Sequence, residues 1–239
     1  MNRARKTGIL GGTFDPVHLG HLRAAEEAAE ALGLDELVFI PSATPPHRPN
    51  APRASAEDRL EMARLAVAGR PGFSVSGLEV ARGGASYSVE TLAALEQERP
   101  GEERWFLVGT DAFLDIHAWR DWARLFSLAH FAVMTRPGPD PELAGLGAVE
   151  RYMKDRLAKA KIFVPAKDEG WTHVETGRRL VFTPIRSLDI SATLVRSLLA
   201  ENRSVRYLVP DAVLDYIEHR KLYGKSPGSR ERQKGIHPD

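Results

Sequence analysis

The most informative segment of this sequence is Gly11-Gly12-Thr13-Phe14-Asp15-Pro16-Val17-His18-Leu19-Gly20-His21. It follows a short apolar run and leads into a helical pattern, so the order is strand, glycine-rich turn and helix. Such a turn leaves backbone N–H groups unpaired, and the helix N-terminus adds partial positive charge. His18 and His21 are spaced i and i+3, so they share one helix face and can donate hydrogen bonds to a phosphate. The stretch therefore predicts a phosphate-binding site.

This turn differs from two common phosphate-binding patterns. It contains no Gly-x-Gly-x-x-Gly fingerprint, and no Walker lysine follows it. The alternative interpretation is an ordinary helix start with two exposed imidazoles. The convergence of two glycines, Asp15-Pro16 and both histidines on one turn favours a functional role.

The composition is that of a globular protein without a dominant charge. The 239 residues include 43% hydrophobic and 27% charged residues, with a net charge of +1 and no cysteine. Neither nucleic acid nor membrane is indicated as a partner. The lack of cysteine excludes disulfides and thiolate metal sites. Because no apolar run approaches the length of a membrane-spanning helix, we expect a cytoplasmic protein.

Apolar runs and helical patterns alternate along most of the chain. Residues 1–224 are predicted to form a single domain, and residues 225–239, rich in Ser, Gly, Pro and charge, a flexible tail. Strands are expected near residues 6–10, 37–40, 73–76, 105–108 and 131–134. Their alternation with helices predicts an α/β fold, a doubly wound, Rossmann-like parallel sheet with helices on both faces. The polar segment Lys167–Arg179 is expected to be an exposed insertion or hairpin.

The proline-rich loop from Pro41 to Pro52 leaves the end of a predicted parallel strand. Ligands bind at the carboxyl ends of such strands in open α/β sheets. We therefore expect ligand contacts from His47 and Arg48 on this loop, although proline stiffness alone can be structural.

A second constellation is Ile190-Ser191-Ala192-Thr193-Leu194-Val195-Arg196. Ser191 and Thr193 are helix N-cap residue types, and the simplest interpretation is a capped helix. Two hydroxyls, open N–H groups and the guanidinium of Arg196 together also suit a polyphosphate.

The first stretch resembles the signature of the nucleotidyltransferase superfamily with the His-x-Gly-His motif. Within it, the chain most resembles the bacterial nicotinate-nucleotide adenylyltransferases. The second constellation is similar to the family's Ile-Ser-x-Thr-x-x-Arg motif. Three further segments match its pattern: Pro45-Pro46-His47-Arg48, Ser86-Tyr87-Ser88-Val89-Glu90-Thr91-Leu92, and Gly109-Thr110-Asp111 followed by Trp119. Arginine at 48 stands where the family often has lysine, and Ser88 replaces a threonine.

The resemblance implies adenylyl transfer from ATP to nicotinate mononucleotide, giving nicotinate adenine dinucleotide and pyrophosphate. His18, His21 and Arg196 are the implied catalytic residues. ATP binding is implied for Gly11, Gly12, Thr13, Phe14, His18, His21, Gly109, Asp111, Ile190, Ser191, Thr193 and Arg196. Acceptor binding is implied for His47, Arg48, Tyr87, Ser88, Thr91, Trp119 and Arg120. The resemblance also implies that Asp111, already named for ATP, contributes to the acceptor half.

Magnesium is the expected cofactor, bound with ATP. No carboxylate cage for a metal is visible in the sequence, so Mg²⁺ is expected to bind phosphate oxygens and water. Asp15 either caps the turn or takes an active part, and both interpretations stay open. The oligomeric state is also open, a homo-oligomer being one alternative.

Several alternatives share parts of this pattern. Nicotinamide mononucleotide or phosphopantetheine could replace the acceptor, and cytidylyltransferases use a similar first motif. A non-catalytic nucleotide-binding regulator is a different class, which the two intact histidines and Arg196 disfavour. A class I aminoacyl-tRNA synthetase is disfavoured because no Lys-Met-Ser-Lys-Ser-like loop is found.

Overall fold

The computed structural model describes residues 3–46, 50–135, 146–167, 170–186 and 188–224. The strands in these ranges form one sheet of eight strands in the order β3-β2-β1-β4-β5-β8-β7-β6. They are β1 (Lys6–Gly12), β2 (Glu36–Pro41), β3 (Phe73–Val75), β4 (Glu103–Gly109), β5 (His130–Thr135), β6 (Phe163–Pro165), β7 (Trp171–His173) and β8 (Arg179–Pro184).

Nine α-helices are described in the same ranges. They are α1 (Leu19–Leu32), α2 (Ala56–Val67), α3 (Leu78–Arg82), α4 (Ser88–Glu98), α5 (Thr110–Leu114), α6 (Trp122–Leu128), α7 (Leu146–Tyr152), α8 (Ala192–Ala200) and α9 (Asp211–His219). A 3₁₀ turn at Ile116–Ala118 precedes α6, and a π-helical turn at Met153–Ala158 continues α7.

The sheet confirms the predicted doubly wound α/β fold. All neighbouring strands from β3 across to β8 are parallel, and β7 and β6 complete one edge as antiparallel strands. The first strands extend from β1 to β2 and β3, whereas β4 and β5 lie on the other side of β1. The strand order therefore reverses between β1 and β4, which is where ligands bind in such sheets.

Successive strand residues alternate between two cores, one on each face of the sheet. In β4, Phe106 and Val108 pack under α4, α5 and α6, whereas Trp105 and Leu107 pack under α1, α2, α8 and α9. This alternation follows from the two-residue period of a strand. Because both faces are buried, the strands appear in the sequence as continuous apolar runs.

Helix ends follow the local sequence signals. Ser55 Oγ accepts a hydrogen bond from the backbone N–H of Asp58 at 3.0 Å and so caps the start of α2. Gly33 ends α1 with φ of +59°, the left-handed conformation that glycine adopts without a Cβ clash. Ser191 caps α8 by accepting from the N–H of Leu194 at 3.1 Å.

Two segments differ from the sequence-based predictions. In the segment Lys167–Arg179, the described residues 170–179 form a hairpin, as one alternative predicted, but not an exposed insertion, because β7 joins the sheet with Trp171 and His173 buried. Helix α3 was not predicted, since five residues are too few for a helical period to show. The predicted tail at 225–239 lies outside the described residues.

Candidate active site

A crevice opens where β1 and β4 separate. The two strands pair from Lys6 with Glu103 to Ile9 with Phe106. Beyond that point β1 stays paired with β2, where Gly11 lies opposite Ile40, and β4 stays paired with β5, where Gly109 lies opposite Met134. A Cβ added at either glycine would meet no atom within 4 Å, so the backbone at both strand ends is open to a ligand.

The crevice leads into a cavity of about 760 Å³, a volume suited to a nucleotide. All residues predicted to bind ATP line it, although they come from distant parts of the chain. They are Gly11, Gly12, Thr13, Phe14, His18, His21, Gly109, Asp111, Ile190, Ser191, Thr193 and Arg196.

The glycine turn is shaped around the ring of Phe14. Phe14 is buried and has φ of +49°, a conformation that non-glycine residues rarely adopt. A Cβ on Gly12 would lie 2.8 Å from the Phe14 ring, so this position requires glycine. The ring packs edge-on against His21, with centroids 5.1 Å apart. The glycine turn therefore leads from the end of β1 to the start of α1, where the two histidines lie.

His18 and His21 form one unit at the start of α1. The rings stack with centroids 3.7 Å apart, and His21 Nδ1 accepts a hydrogen bond from the backbone N–H of His18 at 3.2 Å. Gly20 lies between them: a Cβ there would be 3.0 Å from His18 Nδ1 and 3.4 Å from the carbonyl oxygen of Ile190. Glycine at this position thus allows the His18 ring and the start of α8 to approach each other.

The second constellation lies across the cavity at the start of α8. Arg196 Nη2 donates to Thr193 Oγ1 at 3.2 Å, and Nη1 donates to the backbone oxygen of Asp15 at 2.6 Å. These contacts join the two sequence motifs, although 181 positions separate Asp15 and Arg196. Hydroxyls, helix N–H groups and a guanidinium together favour a polyphosphate.

Arg59 supports the glycine turn from beneath and was not predicted from the sequence. It is 1% exposed, and its Nη1 donates to the backbone oxygen of Thr13 at 2.7 Å. Nη2 donates to Ala43 O at 2.8 Å and Nε to Ala54 O at 3.3 Å. Burial lowers the pKa of the guanidinium, and the nearby charge of Asp15 opposes this effect. An arginine on an otherwise amphipathic helix gives no local signal of such a role.

A smaller cavity of about 40 Å³ adjoins the start of α4. The predicted acceptor residues Tyr87, Ser88, Trp119 and Arg120 line it. Arg120 lies over the Tyr87 ring at 4.6 Å and pairs with Glu90 at 3.0 Å. Four of the predicted acceptor residues are thus brought together.

Thr91 is placed differently. It is 3% exposed, does not line the small cavity, and donates its hydroxyl to Glu79 at 2.6 Å. Burial raises the pKa of Glu79, and hydrogen bonds from Thr91 and Ser86 oppose the rise. Glu79 therefore anchors the segment that lines the small cavity. No local signal marked it, because it lies on the unpredicted helix α3.

His47 and Arg48 lie outside the described residues, so their predicted contacts stay predictions. The neighbouring part of their loop meets the acceptor segment: Ala43 N donates to Ser86 Oγ and Ser86 N donates to Thr44 O, each at 2.9 Å. Other cavity residues that the sequence did not indicate include Met134, Arg186 and Leu188. Met134 lies near the end of β5, and the other two lie between β8 and α8, so their position depends on the sheet.

Within the ranges that the structure describes, no three His, Cys, Asp or Glu side chains are grouped to hold a metal ion. In the same part of the chain, none of the helices is both long and apolar enough to cross a membrane.

The fold and the cavity are those of a nucleotide-binding α/β protein of the cytidylyltransferase-like class. The model of the family described as "Cytidylyltransferase-like" matches residues 9–198, which include both constellations. The chain is 45% identical over 219 residues to a protein of Desulfatibacillum aliphaticivorans named "Probable nicotinate-nucleotide adenylyltransferase", covering 91% of this chain and 99% of that one. A protein of the same name from Geobacter sp. (strain M21) is 43% identical over 218 residues, covering 91% and 98%. The chain therefore belongs to the nicotinate-nucleotide adenylyltransferase family of nucleotidyltransferases.

A solved structure has the same fold. It is Plasmodium falciparum nicotinic acid mononucleotide adenylyltransferase complexed with NaAD, with a TM-score of 0.66 at 15% identity, covering 92% of this chain and 97% of that one. At this identity, the likeness supports the fold alone.

Proposed function

We propose that the protein transfers the adenylyl group of ATP to the phosphate of nicotinate mononucleotide. The observation that supports this most strongly is the junction of the two motifs in one cavity, where Arg196 contacts Asp15 and both histidines line the same cavity as the start of α8. A phosphate oxygen of the mononucleotide attacks the α-phosphorus of ATP. The bond from that phosphorus to the bridging oxygen breaks, and pyrophosphate leaves with the electron pair. The other product is nicotinate adenine dinucleotide.

The residues on the cavity wall suit this reaction, which needs in-line positioning and stabilisation of developing charge. We assign the α-phosphate to His21, with His18 beside it. Ser191, Thr193 and Arg196 bind the β- and γ-phosphates and stabilise the departing pyrophosphate. Gly11 and Gly12 present open backbone to the nucleotide.

We place the acceptor between the large cavity and the small one. The half-buried ring of Trp119 lines the small cavity and suits a positively charged pyridinium ring through a cation–π contact. Backbone N–H groups near Ser88 and Arg120 suit the nicotinate carboxylate. The small cavity must widen to admit the ring, because about 40 Å³ holds little more than water.

Magnesium is proposed to enter with ATP. The described residues contain no cluster of three metal-binding side chains, so its ligands would be mainly phosphate oxygens and water, and it would neutralise phosphate charge. We further propose that residues 1–224 form one domain and that the reaction takes place in the cytoplasm.

The test is pyrophosphate release with ATP and Mg²⁺ in parallel reactions with nicotinate mononucleotide, nicotinamide mononucleotide, phosphopantetheine and no acceptor. We expect release with the nicotinate compound at a rate well above the others. Faster release with another acceptor would overturn the acceptor assignment and keep the mechanism. Binding of ATP without release in any reaction would favour a regulator.

A further inference from the structure

The carboxylate of Asp15 is buried beside the glycine turn and bound from several sides. Oδ2 accepts a hydrogen bond from the backbone N–H of Arg53 at 2.9 Å, and Oδ1 accepts one from Ala54 at 3.1 Å. Oδ1 also accepts from the hydroxyl of Tyr223 at 2.8 Å. The Asp15 side chain thus joins the glycine turn to residues 53–54 and to Tyr223, which goes beyond capping its own turn.

Tyr223 reaches this site from the end of the described chain. It follows α9, is 7% exposed and has φ of +64°, a conformation unfavourable for tyrosine. Burial and the adjacent Asp15 charge raise the pKa of Tyr223, so the hydroxyl keeps its proton and donates it in a hydrogen bond. The strain and the burial together indicate that tertiary contacts hold this ring in place.

Asp15 in turn binds Arg196 on the cavity wall. Arg196 Nη1 lies 2.6 Å from the backbone oxygen of Asp15 and 3.8 Å from Oδ2, with the two side chains 17% and 6% exposed. A guanidinium held in this way loses less conformational entropy when it binds a phosphate. Because the Tyr223 hydroxyl binds Oδ1 of the same Asp15 side chain, it helps to fix the orientation of the Arg196 guanidinium.

We infer that Tyr223 and Asp15 are positioning residues that hold the Arg196 guanidinium at the β- and γ-phosphate end of the cavity. This inference rests on the proposed function, which assigns these phosphates to Arg196. It predicts that the Tyr223 hydroxyl matters for ligands with a β-phosphate and not for AMP.

The chain offers a matched control in Tyr216. Its hydroxyl also donates to an aspartate, Asp58 Oδ1, at 2.9 Å, and it lies only seven residues before Tyr223. Asp58 binds Ser55 and Arg220 and joins α2 to α9, and it does not line the cavity. Tyr216→Phe thus removes a similar bond without a path to Arg196.

The experiment measures the dissociation constants of ATP, inorganic pyrophosphate and AMP by calorimetry for the full chain and the variants Tyr223→Phe and Tyr216→Phe. We expect Tyr223→Phe to weaken ATP and pyrophosphate by about tenfold and AMP by less than about twofold. Tyr216→Phe should leave all three within about twofold. Equal weakening of ATP and AMP, no weakening of ATP, or the same pattern in Tyr216→Phe would overturn the inference.

A double-mutant cycle with Arg196→Ala gives a second readout. If Tyr223 acts through Arg196, Tyr223→Phe has no further effect on ATP affinity once the guanidinium is gone. Additive losses would contradict the inference. Thermal unfolding of each variant identifies any loss that comes from unfolding. Failure of the proposed function is seen separately, as absence of pyrophosphate release from the unaltered protein.

Discussion

His21 Nδ1 accepts the backbone N–H of His18 at 3.2 Å, so the two histidines at the start of α1 are joined by a hydrogen bond and by ring stacking. A neutral His21 must then have its proton on Nε2, an assignment that follows from the hydrogen bond. The arrangement separates two roles in one side chain, because Nδ1 orients the ring and Nε2–H is the donor that we assign to the α-phosphate.

His21→Asn tests this separation. The Asn side chain can replace Nδ1 as an acceptor and has nothing at the position of Nε2. We expect turnover to fall about 10²-fold or more while ATP affinity changes only a few-fold. His21→Ala, which removes both groups, should affect turnover at least as strongly. Steady-state kcat and the ATP dissociation constant are the measurements, and equal losses in both would make His21 a binding residue only.

Gly20→Ala addresses the contact between the two motifs. The added Cβ would lie 3.0 Å from His18 Nδ1, 3.1 Å from Cε1 and 3.4 Å from Ile190 O, so the ring or α8 must shift. Alanine also favours the helix by about 1 kcal/mol, which offsets part of the strain. We expect kcat/KM for ATP to fall about tenfold or more with little change in melting temperature. Unchanged kinetics would show that the spacing tolerates a methyl group.

Trp119→Ala, with Trp122→Ala as its control, tests the acceptor side. Trp119 lines the small cavity and packs on Phe106 at 6.3 Å, whereas Trp122 packs on Phe126 at 6.3 Å outside it. We expect Trp119→Ala to raise the KM of the acceptor about tenfold and leave the KM of ATP unchanged. Trp122→Ala should lower stability and leave both KM values unchanged. An unaltered acceptor KM in Trp119→Ala would remove this ring from the binding site.

His130, the first residue of β5, is expected to make the stability of the protein depend on pH. Burial lowers its pKa to about 4, its ring stacks on Trp105 at 4.8 Å, and Nδ1 accepts the N–H of Arg179 at 2.8 Å. Between the ordinary histidine pKa and about 4, the unfolded chain binds the proton and the folded chain does not. The free energy of unfolding therefore decreases as the pH falls through this window, by about 2 kcal/mol after allowance for partial exposure of the ring.

His130→Asn should remove this contribution, because Asn can accept the same N–H and does not titrate. Urea unfolding at pH 7 and at pH 4.5 measures the effect, and the difference between the two proteins cancels the carboxylates that titrate in both. A variant that loses as much stability as the parent between these pH values would contradict the assignment to His130.

Local patterns predicted β1 to β5, the cap of α8 and the cavity-lining motifs, because these depend on periodicity and on residues a few positions apart. The prediction was weaker wherever a role depends on distant contacts. Arg59 and Glu79 were missed because their hydrogen-bond partners lie on other loops and helices. Thr91 was grouped with the acceptor residues, yet its hydroxyl binds Glu79 away from the small cavity.

Short segments encode the α/β class, the glycine turn with its two histidines and the second helix start, so these features can be inferred from local patterns. The position of β8 beside β5, the meeting of both motifs in one cavity and the hydrogen bond from Tyr223 to Asp15, 208 positions away, are seen only in three dimensions. Strand order and buried polar pairing arise from packing between distant segments, which local spacing does not encode.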